Sequence, residues 1–534
     1  MWKRWDSAIR VALPHFFHME APVGQLVRPL GKPYSPLCSP PGHLTDATSR
    51  CTGIVEKYHS CVHALNFYFH ITGAARYHIL TPDLSKEHTR NRLLDALCDV
   101  TSRYSPMCVS ISGEKSHSPA FVRLPSIDIP ARVTYVDGGD KDDLRVVEKV
   151  LEDEHNRPFV GLEDGTGSVW KVIVFEHSQD GWVTVAWIVH HAISDGIGVK
   201  VFHAAFGEAL NSPTTPAGEW ERAHWIVRPP HDLKLPDPFE RAADISPSYR
   251  SAPNLLLSLY ELYTPSFMHP KPDESTCMGP PLPTEAHLPT FRSCHRIAVL
   301  SSQVAEGLRL KCRENGTTVS AYLHALLARV IKDVYPGYRG GYAASSPVSG
   351  RRFVPGAEDQ IVDYVTDCSS VIKFTRPSVL SSEQSKKERE AEDWANSRQC
   401  GKLLRAATKR SRDAHAGYLV FLDDYFSYFK AKLGKARDGV LKINSIGLLK
   451  KPKKGDWEMD RLIHTVCGGV LNAAFVLNVG TVEGGEMGIS VAWGEWEGST
   501  ISREVGDRVI RDLVEGLIEL LQLKDVQGNV VWTL

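Results

Sequence analysis

The seven residues His190-His191-Ala192-Ile193-Ser194-Asp195-Gly196 concentrate most of the chemistry that the sequence offers. Two imidazoles stand together, a carboxylate follows the second by four positions, and a glycine follows the carboxylate. An imidazole titrates near neutral pH, so it can take a proton from a hydroxyl or amine and return it within one turnover. Such a base needs its ring held on a rigid element, and the flanking pattern supplies one. A β-rich run at 182–189 leads into the pair, and residues 199–210 carry Val201, Phe202, Ala205, Phe206 and Leu210 on one helical stripe. A strand end, a tight turn that exposes one imidazole and a helix start are expected, with Asp195 bracing the turn through a cation or backbone groups.

The same turn also reads Ala192-x-Ser194-x-Gly196, a degenerate form of the strand–turn–helix that presents a nucleophilic serine. A serine hydrolase built on Ser194 is the rival enzyme class. Against it, the first glycine of that pattern is missing, and His191 and Asp195 crowd the turn instead of arriving later in the chain. His59-x-Cys61-x-His63 and His15-x-x-His18 are the metal-like spacings. Neither has a second ligand pair at zinc-site separation, so no metal is expected. A non-catalytic protein that only binds a ligand is the third class, and the intact histidine and acid argue against it.

The chain has 534 residues, 42% hydrophobic and 23% charged, which is enough apolar material for more than one core. Its 62 Lys plus Arg balance 63 Asp plus Glu, so no broad basic field exists to hold a nucleic acid. The 11 cysteines are scattered without a C-x-x-C pair, which fits free thiols in a reducing compartment. No unbroken apolar segment follows Met1-Trp2-Lys3-Arg4-Trp5-Asp6, and no run of about 18 apolar residues occurs anywhere. A cytoplasmic monomer without a signal peptide or transmembrane segment is expected, with attachment at the periphery of a membrane left open. The sequon Asn315-Gly316-Thr317 reads as chance, and the charge runs at 140–143 and 450–454 as solvated loops.

Proline sets the organisation. About 15 of the 33 prolines fall between Asn211 and Pro289, including the pairs Pro229-Pro230 and Pro280-Pro281. Such a stretch cannot be one regular element. It is read as a crossover, 211–290, with a short helix at 252–263, between an N-terminal lobe, 1–210, and a C-terminal lobe, 291–534. In the first lobe a helix is expected at 86–104 and strands at 121–124, 170–175 and 182–189, the last two joined through a turn at Ser178-Gln179-Asp180-Gly181. In the second, a strand at 295–300 precedes a helix capped by Ser302 and closed at Asn315-Gly316. A helix at 319–334, strands at 342–348 and 363–374, and a solvated amphipathic helix at 381–411 follow. An antiparallel pair at 471–481 and 487–493 and a closing helix at 502–523 end the chain.

His-His-x-x-x-Asp-Gly, as it stands at 190–196, is the signature of the CoA-dependent acyltransferase superfamily, and this chain resembles that superfamily. Its members include chloramphenicol acetyltransferase, plant-type acyltransferases, fungal alcohol acetyltransferases and the condensation domains of peptide synthetases. The resemblance is closest to the fungal alcohol O-acetyltransferases and extends over most of the chain. It rests further on Arg28-Pro29-Leu30-Gly31 followed by Glu56-Lys57-Tyr58, on Gly316-Thr317-Thr318-Val319 at a helix start, and on 473–480 followed by 488–493 as a late strand pair. The plant-type Asp-Phe-Gly-Trp-Gly motif is absent, with Val491-Ala492-Trp493-Gly494-Glu495-Trp496 in a similar late position. The condensation-domain Pro-Val-Asn-x-Arg pattern survives only in part, as Pro347-Val348-Ser349-Gly350-Arg351.

The resemblance implies a two-lobed α/β fold of the chloramphenicol acetyltransferase type, each lobe a mixed sheet with flanking helices, and an active-site tunnel between the lobes. It implies His191 as the general base, His190 and Gly196 as residues that shape the turn, and Asp195 as a structural brace. Arg351, or Arg352 beside it, is the expected partner of Asp195. Asn444 and Ser445, within Ile443-Asn444-Ser445-Ile446-Gly447, are the candidate donors to an oxyanion. The implied reaction moves an acyl group, acetyl first, from an acyl-CoA co-substrate to an alcohol or amine of a small molecule in secondary metabolism, with no permanently bound cofactor. The lysines of 450–454 are a minor candidate for contact with CoA phosphates.

Overall fold

The computed structural model describes residues 49–81, 84–139, 144–177, 181–212, 220–221, 225–247, 275–374, 382–412, 414–451, 455–522 and 530–532. Arg28-Pro29-Leu30-Gly31, His15 and His18, the charge run at 140–143 and the expected helix at 252–263 lie outside the described residues, as do 178–180 of the expected turn and 452–454 of the lysine run.

β-branched and aromatic residues build the strand Trp182–Val189, which is buried along nearly its whole length. It pairs antiparallel with Trp170–His177 on one side and with Ile71–Ile79 on the other. Val133–Asp137 and Trp457–Val466 complete a five-stranded mixed sheet. The last of these strands comes from the C-terminal part of the chain and pairs with Ile71–Ile79 from Trp457 opposite Ile79 to Val466 opposite Ile71. A strand from beyond residue 290 therefore completes the sheet of the first 210 residues.

The second sheet has eight strands. Arg292–Leu300 runs antiparallel to Met487–Glu495 along its full length, and Met487–Glu495 pairs in turn with Phe475–Val482. Leu441–Leu449 lies parallel to Phe475–Val482, with a register irregularity between Ser445 and Gly447. Ser302–Glu314, Val319–Val334 and Arg503–Leu520 cover the sheet through Leu308, Leu323, Leu327, Val509, Leu513 and Leu517. The first of these helices is capped by Ser301, not Ser302: the Ser301 hydroxyl accepts from the Val304 N–H at 3.4 Å. It closes at Asn315, and Gly316 takes φ +67°, the left-handed turn that glycine adopts without cost. Val319–Val334 starts at Thr318, whose hydroxyl accepts from the Ala321 N–H.

Two expected elements shift in ways that matter. The strand expected from Asp363 begins only at Val365, so Asp363 sits in the loop before Val365–Ile372. The helix expected to be solvated, observed at Ser382–Ala407, has one docked face. Trp394, Ser397 and Cys400 recur every three residues on that face and are buried, Trp394 meets Tyr322 at 4.5 Å, and Arg329 binds the Asp393 carboxylate.

The two sheets are joined through the helix Leu144–Glu154, whose Leu144, Val147 and Leu151 share one apolar cluster with Ile173 and Phe175 of the first sheet and Ile297 and Val299 of the second. Glu148 on the same helix accepts from Arg296 Nη1 at 2.9 Å and from the Ile297 N–H at 2.8 Å. Next to the histidine pair, Trp187 stacks on Phe202 at 4.3 Å and 8°. This contact, worth about 0.5–1.5 kcal/mol beyond the area buried, ties the strand before the turn to the helix after it. Among the described residues no helix is long and apolar enough to cross a membrane.

Candidate active site

The strand Trp182–Val189 ends, His191–Ile193 make a single 3-10 turn, and the helix Gly196–Asn211 begins. The sequence compels this shape at two points. Asp195 is extended and caps the helix by accepting from the Gly198 N–H at 2.9 Å. Gly196 lets the helix start approach the second lobe: a Cβ there would lie 2.8 Å from Ile446 Cγ2 and 3.4 Å from His464 Nε2.

The two histidines face opposite ways. His190 is fully buried: its Nδ1 accepts from the Ala192 N–H at 3.1 Å, and its Nε2 lies 3.1 Å from Glu114 Oε1. The first bond fixes the tautomer, so Nε2 carries the proton and donates to Glu114. His63 does the same from the other side, with Nδ1 3.0 Å from the Glu114 carboxylate and Nε2 accepting from the Phe159 N–H at 3.0 Å. Burial pushes Glu114 up, but the hydrogen bonds from His190 and His63 outweigh it and hold the carboxyl at about 2. Burial and the neighbouring His63 lower His190 to about 4 against the pull of Glu114.

His191 borders the cavity between the lobes. Its ring stacks flat on His59 at 3.6 Å and 2°. Its Nδ1 is sealed from solvent, without a hydrogen bond, and lies 3.7 Å from Asp363 Oδ1. His59 Nε2 lies 3.4 Å from the other oxygen, Oδ2. Asp363 is buried and neither of its oxygens has a hydrogen bond. Burial pushes its carboxyl up to about 7, the nearby Asp195 and Glu56 charges act in the same direction, and His191 pulls it back. His59 is held well below the usual imidazole range by burial and by the neighbouring histidines.

Asp195 pairs with Arg351 Nη1, and both side chains are buried. Arg352 instead donates to the Thr408 carbonyl and is not the partner. Ser194 is buried, its hydroxyl donates to the Asp195 carbonyl, and it does not line the cavity.

The cavity measures about 420 Å³ and draws its walls from both lobes, with Tyr58, Phe67 and Tyr68 from one and Phe429, Leu471 and Val476 from the other. Asn444 and Ser445 also line it. Asn444 Nδ2 donates to Asn478 Oδ1 at 2.8 Å, while the Ser445 hydroxyl accepts from Ser320 at 2.8 Å and keeps its own hydrogen available. Both lie within the strand Leu441–Leu449. A second groove of about 300 Å³ shares Ile197, Pro347, Ser349 and Ser445 with the cavity and adds Lys200 and Arg352. Lys451 is engaged elsewhere, with Glu458 at 2.7 Å.

Glu114, Asp363, His59 and His63 were not anticipated as parts of this site. His59 and His63 share a face of the helix Ile54–Ala64, but they reach two different carboxylates, and Cys61 packs among Val62, Phe67 and Tyr425. Among the described residues, three groups bring His with Cys or carboxylate together: His63–Glu114–His190, His59–His191–Asp363 and His70–His155–Cys467. The first is closed by its own hydrogen bonds. In the third, His70 Nε2 lies 2.7 Å from the Glu154 carbonyl, His155 Nε2 2.7 Å from Thr465 Oγ1, and Cys467 Sγ 3.3 Å from His155 Nδ1.

Comparison with known proteins identifies the family and the fold. The chain is 27% identical over 496 residues to the probable alcohol acetyltransferase FCK4 of Fusarium pseudograminearum, covering 89% of this chain and 94% of that one. It is 23% identical over 473 residues to the probable alcohol acetyltransferase crmB of Aspergillus fumigatus, covering 83% and 94%. The TRI3 trichothecene 15-O-acetyltransferase of Fusarium sporotrichioides shares the fold, with a TM-score of 0.63 over 88% of this chain and 94% of that one at 13% identity. The first condensation domain of the calcium-dependent antibiotic synthetase follows, at 0.55 over 88% and 96% with 12% identity. The family model for alcohol acetyltransferase matches residues 144–509, so the chain belongs to the alcohol acetyltransferase family and is an acyltransferase.

Proposed function

We propose that this acyltransferase moves an acetyl group from acetyl-CoA to a hydroxyl of a small molecule, with His191 as the general base. The observation that carries the reading is the contrast within the pair. Both ring nitrogens of His190 are occupied in a closed network, whereas His191 alone of the two presents a ring edge, with Nε2, to the cavity between the lobes.

The acceptor O–H gives its proton to His191 Nε2 as the oxygen attacks the thioester carbonyl carbon. The C–O bond forms and the carbonyl oxygen becomes an oxyanion, for which the Ser445 hydroxyl on the cavity wall is the proposed donor. The C–S bond then breaks, and the proton passes from His191 to the departing sulfur, leaving an ester and free CoA. Aromatic and apolar side chains share the cavity wall with Asp367, Asp438, Lys432 and Lys442, which suits an acceptor carrying both apolar and polar parts, and Lys200 and Arg352 in the adjoining groove suit a phosphate-bearing donor. Asp195 and Arg351 hold the turn and take no proton.

His191→Ala tests the reading. With acetyl-CoA and a panel of hydrophobic alcohols and amines, thiol release and product mass should show kcat lowered by roughly 10²–10⁴, with acetyl-CoA affinity little changed. Near-unaltered turnover would remove His191 from the chemistry, and a preference for amines would correct the acceptor class.

A further inference from the structure

Asp363 has no place in the motif that carries the base, yet the fold spends several interactions on holding it. It lies in the loop before the strand Val365–Ile372 and is flanked by two fixed points. On one side the Val362 carbonyl accepts from both the Asp195 N–H, at 3.1 Å, and Arg351 Nη2, at 3.0 Å. On the other, the Tyr364 N–H donates to Asp195 Oδ2 at 3.3 Å. Arg351 Nη2 also reaches the Gln360 carbonyl at 3.2 Å. The buried Asp195–Arg351 pair thus grips the loop at 360, 362 and 364, and the carboxylate of 363 is left projecting toward the edges of two stacked imidazoles.

Buried carboxylates that serve stability are hydrogen-bonded. This one is not: both oxygens lack hydrogen bonds, and the imidazole nitrogens beside them are His191 Nδ1 at 3.7 Å and His59 Nε2 at 3.4 Å. A carboxylate beside Nδ1 favours the proton on that nitrogen, leaves the Nε2 lone pair toward the cavity, and stabilises the imidazolium that forms when the acceptor is deprotonated. We propose that Asp363 is a positioning residue for acyl transfer: it sets the tautomer of His191 and offsets the charge that His191 acquires, with His59 as the flat support that keeps the ring in the plane of the carboxylate. The inference rests on His191 being the base.

The charged and titratable groups around this pair come from every element packed on it. They are Glu56 and His59 of the helix Ile54–Ala64, Tyr68 ahead of the strand Ile71–Ile79, His190 and Asp195 of the turn, Lys442 of the strand Leu441–Leu449, His464 of the strand Trp457–Val466, and Arg351. None of the others lies between His191 Nδ1 and Asp363. Burial already disfavours the ionised form of Asp363, so an isosteric amide should relieve the fold while it impairs the base.

The test compares Asp363→Asn, Asp363→Ala and His191→Ala on the full chain, with kcat, KM for acetyl-CoA, the pH profile and Tm at pH 8. Asp363→Asn should lower kcat by roughly 10–100-fold with KM for acetyl-CoA unchanged. The acidic limb of the pH profile should move to lower pH by about one unit, because a negative charge beside the imidazolium is gone. Tm at pH 8 should be equal to or above that of the unsubstituted protein. Asp363→Ala should lose the same activity and shift the limb in the same direction, which guards against an amide that adds its own hydrogen bond. Unchanged kcat and an unmoved limb in both variants would overturn the proposal, and so would kcat and Tm falling together with the limb unmoved, the mark of a structural role. Activity retained in His191→Ala would overturn the base assignment itself, a separate failure.

Discussion

Glu114 behind His190 and Asp363 behind His191 are both buried carboxylates serving adjacent histidines, and the fold treats them in opposite ways. Glu114 receives two N–H donors, from His63 and His190, and is held at about 2. Asp363 receives no hydrogen bond and is pushed up to about 7. The first arrangement is a satisfied network that locks a ring in place. The second leaves a costly charge next to the ring that, as we propose, takes up a proton during turnover. Strain of this kind is tolerated where it serves a reaction and is offset elsewhere in the fold.

The largest effect in this comparison belongs to the pair that holds the unsatisfied side. Asp195 and Arg351 are almost wholly buried, so removing either leaves the other charge without its partner. Arg351→Ala should cost about 3–5 kcal/mol in denaturant unfolding and lower activity as well, since the loop carrying Asp363 loses its grip. Asp195→Asn should act alike, and the double variant should be less than additive. Full additivity would show that the two residues stabilise the protein independently and that the loop is held by something else.

A smaller effect, of opposite sign to that of Asp363→Asn, is expected on the satisfied side. Glu114→Gln offers one acceptor to two N–H donors, so His63 or His190 loses its partner, at about 1–3 kcal/mol. The pH dependence separates the two carboxylates. Glu114 is held below its usual value, so its contribution is complete above about pH 4.5 and is lost as pH falls toward about 2. Asp363 is raised, so its penalty is absent in acid and grows as pH rises from about 4 to about 7. Thermal melts across pH 3–8 should therefore show the deficit of Glu114→Gln shrinking at the acid end, and any gain of Asp363→Asn growing toward neutrality. Parallel curves for the two variants would erase the contrast.

The sequence made the two histidines of this comparison legible and hid the two carboxylates. The turn could be read because its signals are local: a β-branched strand, two histidines, an acid at a helix cap and a glycine where the second lobe presses in. Arg351 could be reached only through a resemblance, since 156 positions separate it from Asp195. Glu114 and Asp363 carry no local mark, because an acid in a loop is ordinarily solvated, and nothing in the residues beside them says that the chain folds over it. The strand Trp457–Val466 was missed for a related reason. From Arg461 onward it is buried on both faces, so the alternation that marks a half-exposed strand is lost, and its partner Ile71–Ile79 is distant in the chain. His59 and His63 showed a spacing that the sequence could not assign to this site: one helical face does carry both, and it delivers them to two different carboxylates, Asp363 and Glu114.

The smallest effect concerns the far wall of the cavity. If His191 deprotonates the acceptor, negative charge appears on the thioester oxygen, and the comparison of the two carboxylates says nothing about what meets it. Ser445 has the better geometry of the two candidates. Its oxygen already accepts from Ser320, so its hydrogen is free to point into the cavity, whereas Asn444 spends an N–H on Asn478. Removing one donor from such a site usually lowers kcat by 10²–10³. Here the loss should be nearer tenfold, about 1.4 kcal/mol, because the Asn444 amide has a second hydrogen and an admitted water can take the vacated place. Ser445→Ala should therefore lower kcat about tenfold with KM for acetyl-CoA and the acidic limb of the pH profile unmoved. That separates it from Asp363→Asn, for which the limb shifts. If Asn444→Ala lowers kcat while Ser445→Ala does not, the amide and not the hydroxyl meets the oxyanion. If neither does, the donor lies elsewhere on the cavity wall.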